Sequence, residues 1–269
     1  MVTHKLSSLI ALPIWLGVAG CGPVPTPADG SVMIFAAASL RAPFEAGEAI
    51  YHEAHPSLEL EFQFAGSQQL RTQLEEGARA DVFASADEQE MQAAVDAGLV
   101  DPNQVRRLAS NQLVVVLPEG NPAGIAAIAD LARPGLKLAL ADPSVPVGHY
   151  TEAFLLAFAE GNGLGPEFSE RVWSNAVSLE QNVAGVGTKV VAGEVDAGVV
   201  YRTDAISGVA AGLAYVELAQ EWALPILYVI SPLLQAANPS GAAEFVHWIT
   251  SDGGQPVLAE FGFLPVPEE

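Results

Sequence analysis

Two serine residues stand where short strands are predicted to end and helices to begin. Ser39 follows the apolar run of residues 32–36, and Ser67 follows residues 58–64, in which apolar and polar side chains alternate. In open α/β sheets, ligands bind beyond the carboxyl ends of the strands, where free N–H groups and the helix dipole favour an anion. Each serine offers a hydroxyl and an N–H at such a point. The alternative is that both are ordinary helix N-caps, which is the commoner role of serine there.

Other polar side chains could support a different chemistry. His52 and His55, with glutamates nearby, could bind a metal, but the proline after His55 is predicted to end the helix, which favours surface histidines. Asp81 and Asp87 could form a carboxylate pair, although capping and loop hydrogen bonds are the commoner role. His149 could titrate near a site. The serine pair is favoured over each of these candidates.

The sequence contains no motif typical of an enzyme active site. It has no G-x-S-x-G, no H-E-x-x-H, no P-loop and no G-x-G-x-x-G after a predicted strand. No serine has a recognisable histidine and acidic partner. The sequence therefore favours a binding protein over an enzyme, and a binding protein saturates stoichiometrically without forming product.

The composition indicates an acidic, folded protein whose partner is not nucleic acid. The chain has 269 residues, half of them apolar, and a formal net charge of −21. This length allows one or two domains with a substantial core. Such a charge repels nucleic acid and anionic membrane surfaces, and no basic patch with interleaved aromatic residues is visible. An anionic small ligand is still possible, but local dipoles would have to hold it.

Residues 1–20 are typical of a bacterial export signal. Lys5 precedes an apolar stretch, residues 6–18, which has the length of a signal core and is too short to span a membrane. The small residues 18–20 before the sole cysteine, Cys21, resemble a lipobox, at which the signal is cleaved and a lipid is attached. An ordinary cleaved signal with a chance cysteine is the alternative. Loss of Lys5 would change the net charge from −21 to −22.

The segment after the signal is predicted to be a tether. Residues 21–31 are rich in proline, which suits an extended linker. The lipid on Cys21 would be the only contact with the membrane. We therefore expect an exported protein, either anchored to the outer side of the cytoplasmic membrane or periplasmic.

Strands alternate with helices along the rest of the chain, which predicts an α/β fold with mostly parallel sheets. The mature length exceeds that of one ordinary sheet, so we expect two lobes, residues 32–110 plus 228–269 and residues 111–227. The chain would cross between them near Ser110 and Ala223. The later predicted elements are a strand at 113–117, a helix at 125–131, a loop at 142–148, a helix at 150–160, a helix from about 182 to 192 and a strand at 223–230.

Seven short motifs occur in an order known from one family. Between about residues 32 and 265 the chain resembles the periplasmic molybdate-binding proteins of ABC importers. Each motif is weak alone, and their common order makes the resemblance specific. The motifs are FAAASL at 35–40, FAGS at 64–67, ADVFASAD at 80–87, LVVV at 113–116, DP with PVG at 142–148, NV at 182–183 and AGVVY with DA at 197–205.

The resemblance implies a two-lobed periplasmic-binding-protein fold of type II that closes on a tetrahedral oxyanion. The expected ligand is molybdate, together with tungstate, which is nearly the same size. The implied donors are the hydroxyls of Ser39, Ser67 and Tyr201 and the backbone N–H groups of Val147 and Val183. Molybdenum would be bound only as the oxyanion through these residues, and no cofactor is expected. The implied partner is an ABC permease driven by a separate ATPase subunit, and the binding protein is expected to be a monomer.

Other oxyanion receptors are the closest alternatives. Phosphate keeps a proton near pH 7 and needs an acceptor carboxylate, but none of the five implied donors is acidic. Sulfate has the charge and shape of molybdate and is smaller, so the sequence leaves it open. Iron(III) receptors usually use several tyrosines and carboxylates, and the single implied tyrosine argues against them. Two departures from the family pattern are Arg41, where a small or neutral residue is usual, and Val147, where alanine is usual.

Overall fold

The computed structural model describes residues 30–218 and 226–267. The predicted signal peptide, Cys21 and all but the last two residues of the predicted tether lie outside the described residues. Ala223, where the sequence predicts that a strand begins, also lies outside them. In the described ranges no helix is long and apolar enough to cross a membrane.

Ten strands and nine α-helices are found in the described residues. The strands are β1 Ser31–Ala37, β2 Glu59–Ala65, β3 Val82–Ser85, β4 Arg106–Asn111, β5 Leu113–Val116, β6 Leu138–Ala141, β7 Ala176–Glu180, β8 Ala197–Tyr201, β9 Tyr215–Glu217 and β10 Ile226–Pro232. The helices are α1 Arg41–Ala54, α2 Ser67–Glu75, α3 Glu88–Asp96, α4 Pro146–Gly161, α5 Glu167–Ser174, α6 Val183–Val191, α7 Arg202–Ile206, α8 Pro239–Ile249 and α9 Gln255–Glu260.

The strands form two five-stranded sheets with the same plan. The first sheet has the order β2-β1-β3-β10-β4 and the second has the order β7-β6-β8-β5-β9. In each sheet three consecutive strands are parallel, and a fourth strand pairs antiparallel with both of its neighbours. We call each sheet with its helices a lobe. The chain crosses from the first lobe to the second between β4 and β5, and it returns between β9 and β10.

The α/β prediction is confirmed, but the prediction of mostly parallel sheets is wrong. Half of the strand pairings are antiparallel, because β5 and β10 enter their sheets directly from the other lobe instead of through a helix on the same sheet. A crossover helix is what makes neighbouring strands parallel. The sequence has no internal repeat, so the matching plan of the two sheets is visible only in the fold.

Two local predictions are also corrected. The helix predicted at 125–131 is only a 3₁₀ turn, Ile128–Ala132, because Gly124 precedes it and Pro134 follows it closely. The loop predicted at 142–148 ends early, because Pro146 opens α4 at a position where its fixed φ and missing N–H are tolerated. Val147 therefore lies in the first turn of a helix.

Interior strands of both sheets are buried on both faces, and helices cover them. All four residues of β3, β5 and β6 and all five of β8 are buried. In the first lobe, Phe44 and Tyr51 of α1 meet Phe245 of α8 edge to face, with ring centroids 5.7 and 5.6 Å apart. This packing fixes the sheet edges at which the site is built.

Candidate ligand-binding site

A small pocket lies between the lobes, at the carboxyl ends of the parallel strands of both sheets. Its cavity volume is about 20 Å³, so it suits only a very small ligand. None of the described residues that line it is charged. The lining residues are Ala37, Ala38, Ser39, Ala65, Gly66, Ser67, Ala86, Val145, Pro146, Val147, Asn182, Val183 and Tyr201.

All five residues implied as oxyanion donors line this one pocket. Ser39 follows β1 and Ser67 follows β2, so these two come from the first lobe. Val147 opens α4 after β6, Val183 opens α6 after β7, and Tyr201 ends β8, so these three come from the second lobe. The structure thus brings the five together, and their contact with a ligand stays a prediction.

Backbone N–H groups are available at the pocket because the helices α2, α4 and α6 begin there. The first N–H groups of an α-helix have no acceptor within the helix and carry the positive end of its dipole. Pro146 has no N–H, so Val147 provides the first free donor of α4, and Val183 is the first residue of α6. Asn182 caps α6 by accepting from the N–H of Gly185 at 3.0 Å, which leaves the N–H of Val183 for a ligand.

The hydroxyl of Tyr201 is the most informative group in the pocket. The residue is 1% exposed, and its hydroxyl has no hydrogen-bond partner among the described residues. Burial, followed by the nearby Tyr228 hydroxyl, raises the pKa of Tyr201 well above its ordinary value of 10.0. The group therefore remains a neutral O–H donor at physiological pH. A buried donor without a partner is energetically costly unless another group accepts a hydrogen bond from it. An anion in the pocket would accept that bond.

The two serines are not helix N-caps, which corrects that alternative. Ser39 lies inside a short 3₁₀ turn, Ala38–Leu40, and its Oγ is 2.8 Å from the hydroxyl oxygen of Tyr228. Ser67 is the first residue of α2, and Gly66 holds the N-cap position. The Ser67 Oγ accepts a hydrogen bond from the N–H of Ala86 at 3.1 Å. That bond uses a lone pair of the Ser67 oxygen, so the hydroxyl can still donate a hydrogen bond to another acceptor.

The lobes touch directly at the edge of the pocket. The Gln68 Nε2 of α2 donates to the carbonyl oxygen of Gln181 at 2.9 Å. Gly66 lies against the same carbonyl, since a Cβ at Gly66 would be only 2.6 Å from the Gln181 oxygen. Only glycine allows this approach, so the contact joins a first-lobe turn to the loop that presents Val183.

Of the other candidate residues, the aspartates have structural roles. Asp81 accepts from the N–H groups of Met33 and Asn238, each at 2.8 Å. Asp87 caps α3 by accepting from the N–H of Glu90 at 2.8 Å. Burial is the main cause that raises the pKa of Asp87 to about 6, and the hydrogen bond from the N–H of Glu90 lowers it. The preference for capping and loop hydrogen bonds is thus confirmed.

Neither the histidines nor Arg41 are among the residues that line the pocket. His55 ends α1, where its Nδ1 is 2.7 Å from a carboxylate oxygen of Glu244. No cluster of three or more potential metal-ligating side chains occurs within residues 30–218 and 226–267. The guanidinium of Arg41 lies 4.5 Å from the ring centroid of Phe64 and pairs with Glu45 at 3.0 Å. It is therefore held on the surface of the first lobe.

Sequence reasoning missed Tyr228, Asn111 and the Gln68–Gln181 contact. Tyr228 stands in an apolar run that predicts a buried strand, and this pattern gives no sign of a polar role. Asn111 Nδ2 donates to Thr203 Oγ1 at 2.9 Å and to the Tyr228 hydroxyl at 3.4 Å. These contacts join residues from 92 to 117 positions apart, so no local spacing could reveal them.

Asp204, just beyond the pocket, should make stability depend on pH. It is fully buried, one of its oxygens has no hydrogen-bond partner in the part of the chain that the structure describes, and burial raises its pKa to about 7 from an ordinary 3.8. The folded state disfavours the carboxylate and retains Asp204 in its protonated form. The contribution of protonated Asp204 to the free energy of unfolding is therefore complete below about pH 4 and is lost as pH rises through 7. We expect Asp204→Asn to remove on the order of 2 kcal/mol of the decline between about pH 5 and 8.

Thermal unfolding of both proteins across this pH range measures the effect. Asp252→Asn is the matched control, because Asp252 is exposed. A pH profile of Asp204→Asn that overlies the wild-type profile would contradict the role of Asp204.

Comparison with known proteins identifies the family to which this fold belongs. The family model described as bacterial extracellular solute-binding protein matches residues 32–264. The chain belongs to this family. It is 35% identical over 265 residues to the molybdate-binding protein ModA of Mycobacterium tuberculosis, and the match covers 96% of each chain.

Two solved structures show the same fold. The periplasmic molybdate-binding protein of Azotobacter vinelandii has a TM-score of 0.74 at 18% identity and covers 88% of this chain and 100% of its own. The sulfate-binding protein SubI of Mycobacterium tuberculosis has a TM-score of 0.80 at 20% identity and covers 88% and 87%. The two-lobed prediction is therefore confirmed, whereas fold similarity alone does not select between ligands. As a member of this family, the chain is an exported solute-binding protein.

Proposed function

We propose that this protein captures molybdate, and also tungstate, outside the cytoplasmic membrane and delivers the anion to the permease of an ABC importer. The relative with 35% identity over nearly the whole chain is a molybdate-binding protein, which supports this ligand class. The chemistry of the pocket supports it independently. The protein would act as a monomer and bind without turnover, because the pocket contains no charged or nucleophilic pair that could act as acid, base and nucleophile.

One observation carries the proposal: the pocket offers hydroxyl and N–H donors and no acidic side chain. A buried dianion is stable only if its oxygens are fully hydrogen-bonded. The hydroxyls of Ser39, Ser67 and Tyr201 and the N–H groups of Val147 and Val183 could supply five such bonds. An ion that still carries a proton, such as phosphate near neutral pH, would find no carboxylate to accept it.

Binding and closure of the lobes would be one event. Two of the five donors belong to the first lobe and three to the second, so the ligand would contact all of them only when the lobes are together. A ligand shifts a conformational equilibrium by the difference between its affinities for the two states. Molybdate would thus favour the closed arrangement, in which Gln68 also meets Gln181. The permease would distinguish the loaded from the empty protein by this difference in shape.

Titration calorimetry tests the ligand. We expect tight one-to-one binding of molybdate and tungstate by the mature chain, with little heat from sulfate and none from phosphate. Sulfate is the second candidate, because it shares the charge and shape of molybdate and differs only in size. Tight sulfate binding with weak molybdate binding would replace the ligand and leave the receptor role, and an absence of heat from all four anions would contradict the proposed function.

We also propose that a lipid on Cys21 anchors the protein. The sequence before this sole cysteine supports the assignment, and residues 22–29 would lead from the membrane to β1. We expect Cys21→Ser to release the protein from the membrane fraction or to block removal of the signal. Fractionation and gel mobility of the variant measure this. A serine variant that fractionates and migrates like the wild type would show that no lipid is attached there.

A further inference from the structure

A buried chain of hydrogen bonds ends at the hydroxyl of Ser39. The hydroxyl oxygen of Tyr228, on β10, is 2.8 Å from the Oγ of Ser39. Tyr228 is fully buried, and its hydroxyl accepts from the Nδ2 of Asn111 at 3.4 Å. Asn111 is the last residue of β4, so both residues stand where the chain passes between the lobes. The chain of bonds therefore starts at the interlobe crossing and leads into the pocket.

The direction of these hydrogen bonds is fixed by one backbone group. The N–H of Gln112, which can only donate, points to Oδ1 of Asn111 at 2.9 Å. This contact assigns oxygen to that side of the amide and leaves the NH₂ group facing Tyr228 and Thr203. Since an NH₂ group can only donate, the Tyr228 oxygen must accept from it. Ser39 is the other hydrogen-bond partner of the Tyr228 hydroxyl among the described residues, so we assign the Tyr228 proton to the bond with the Ser39 oxygen.

Ser39 is thereby left with its own proton for the pocket. Burial raises the pKa of Tyr228 well above its ordinary value of 10.0, so the phenol keeps the proton that it donates. A hydroxyl that accepts one hydrogen bond becomes a better donor in the next. Without Tyr228, the Ser39 hydroxyl could rotate and turn a lone pair towards an anion.

We propose that Tyr228 and Asn111 are positioning residues for anion binding: they hold the Ser39 hydroxyl with its proton directed into the pocket. The proposal rests on the proposed function, since it assumes that the pocket takes an anion. It concerns the hydroxyl of Tyr228 and not its ring. The ring packs edge to face against Tyr201 and Phe263, with centroids 5.7 and 5.1 Å away, and Tyr228→Phe retains that packing.

A double-mutant cycle between Tyr228→Phe and Ser39→Ala separates positioning from packing. Affinities are measured by titration with whichever of molybdate, tungstate or sulfate the wild type binds. We expect Tyr228→Phe to weaken binding about three- to tenfold, the effect of one lost hydrogen bond. In the Ser39→Ala background the same change should alter affinity less than about twofold, because the group it acts through is gone. Asn111→Ala should show the same dependence on Ser39.

Tyr51→Phe is the matched control. Tyr51, on α1, is also a buried tyrosine, but its hydroxyl has no hydrogen-bond partner in the described residues and the residue does not line the pocket. Its removal should leave affinity unchanged. Thermal unfolding of every variant confirms that the titrations are made on folded protein.

Two results would overturn the positioning role. Unchanged affinity of Tyr228→Phe in the wild-type background is one. An equal loss in the presence and absence of Ser39 is the other, since it would mean that Tyr228 acts through packing alone. If the wild type binds none of the three anions, the proposed function fails first and the positioning role fails with it, which is a different result from a failed cycle.

Discussion

Gly66→Ala should weaken molybdate binding about ten- to a hundredfold without destabilising the ligand-free protein. The added Cβ would be 2.6 Å from the carbonyl oxygen of Gln181, which belongs to the other lobe. Overpacking of this kind typically costs about 1–3 kcal/mol. The added Cβ would also lie 2.5 Å from Oε1 of Gln68 in the same lobe, but that flexible side chain can move aside, so the cost falls mainly on the closed state. The backbone of Gly66, with φ −62° and ψ 140°, is acceptable for alanine, so the open protein should not be strained.

Titration calorimetry and thermal unfolding without ligand test this pair of effects. Gly185→Ala is the matched control, because Gly185 also lies in the first turn of a helix at the pocket. There the added Cβ meets the flexible side chain of Glu180, in the same lobe. We expect a much smaller change in affinity. Equal losses in the two variants, or a large fall in the unfolding temperature of ligand-free Gly66→Ala, would contradict obstruction of closure.

Tyr201→Phe should have opposite consequences for affinity and stability. The hydroxyl would donate to an anion, and a hydrogen bond to a charged group contributes about 1.5–3 kcal/mol, or roughly ten- to a hundredfold in affinity. With the lobes together and no anion bound, the same hydroxyl is buried and has no hydrogen-bond partner among the described residues. Its removal should therefore leave the free energy of unfolding unchanged or slightly raised.

Titration and chemical denaturation of wild type and variant measure the two quantities. Tyr51→Phe again provides the control, since it removes a buried, unpartnered hydroxyl that does not line the pocket. It should match Tyr201→Phe in stability and match the wild type in affinity. If Tyr201→Phe binds molybdate as tightly as the wild type, Tyr201 is only a packed aromatic residue and the five-donor site is wrong.

Local patterns in the sequence are sufficient to predict which strand ends form the site. Ser39 and Ser67 are predicted at this edge because each follows a run with strand periodicity, and strand ends in α/β sheets gather at one edge. Val147, Val183 and Tyr201 were placed by the family resemblance, and the same pocket contains them. Their service as ligand donors stays a prediction until an anion is titrated.

What supports these donors could not be read from the sequence. Ser39 and Tyr228 are 189 positions apart, so their hydrogen bond leaves no periodic trace. The prediction of mostly parallel sheets is wrong for a related reason. Strand periodicity indicates which residues are buried and does not identify the neighbouring strand. β4 begins with two exposed arginines and ends in serine and asparagine, and this composition conceals a strand.

The return of β10 to the first sheet has a consequence for how the protein can fold. β10 lies between β3 and β4, yet it begins 115 positions after β4 ends, from Asn111 to Ile226. The first lobe therefore cannot be completed by its own early residues, and β4 has no partner strand until nearly the whole chain is available. Contacts of such long sequence separation slow folding. An exported chain would in this way leave its first lobe unfinished during transit and would complete that lobe only once most of the chain has emerged.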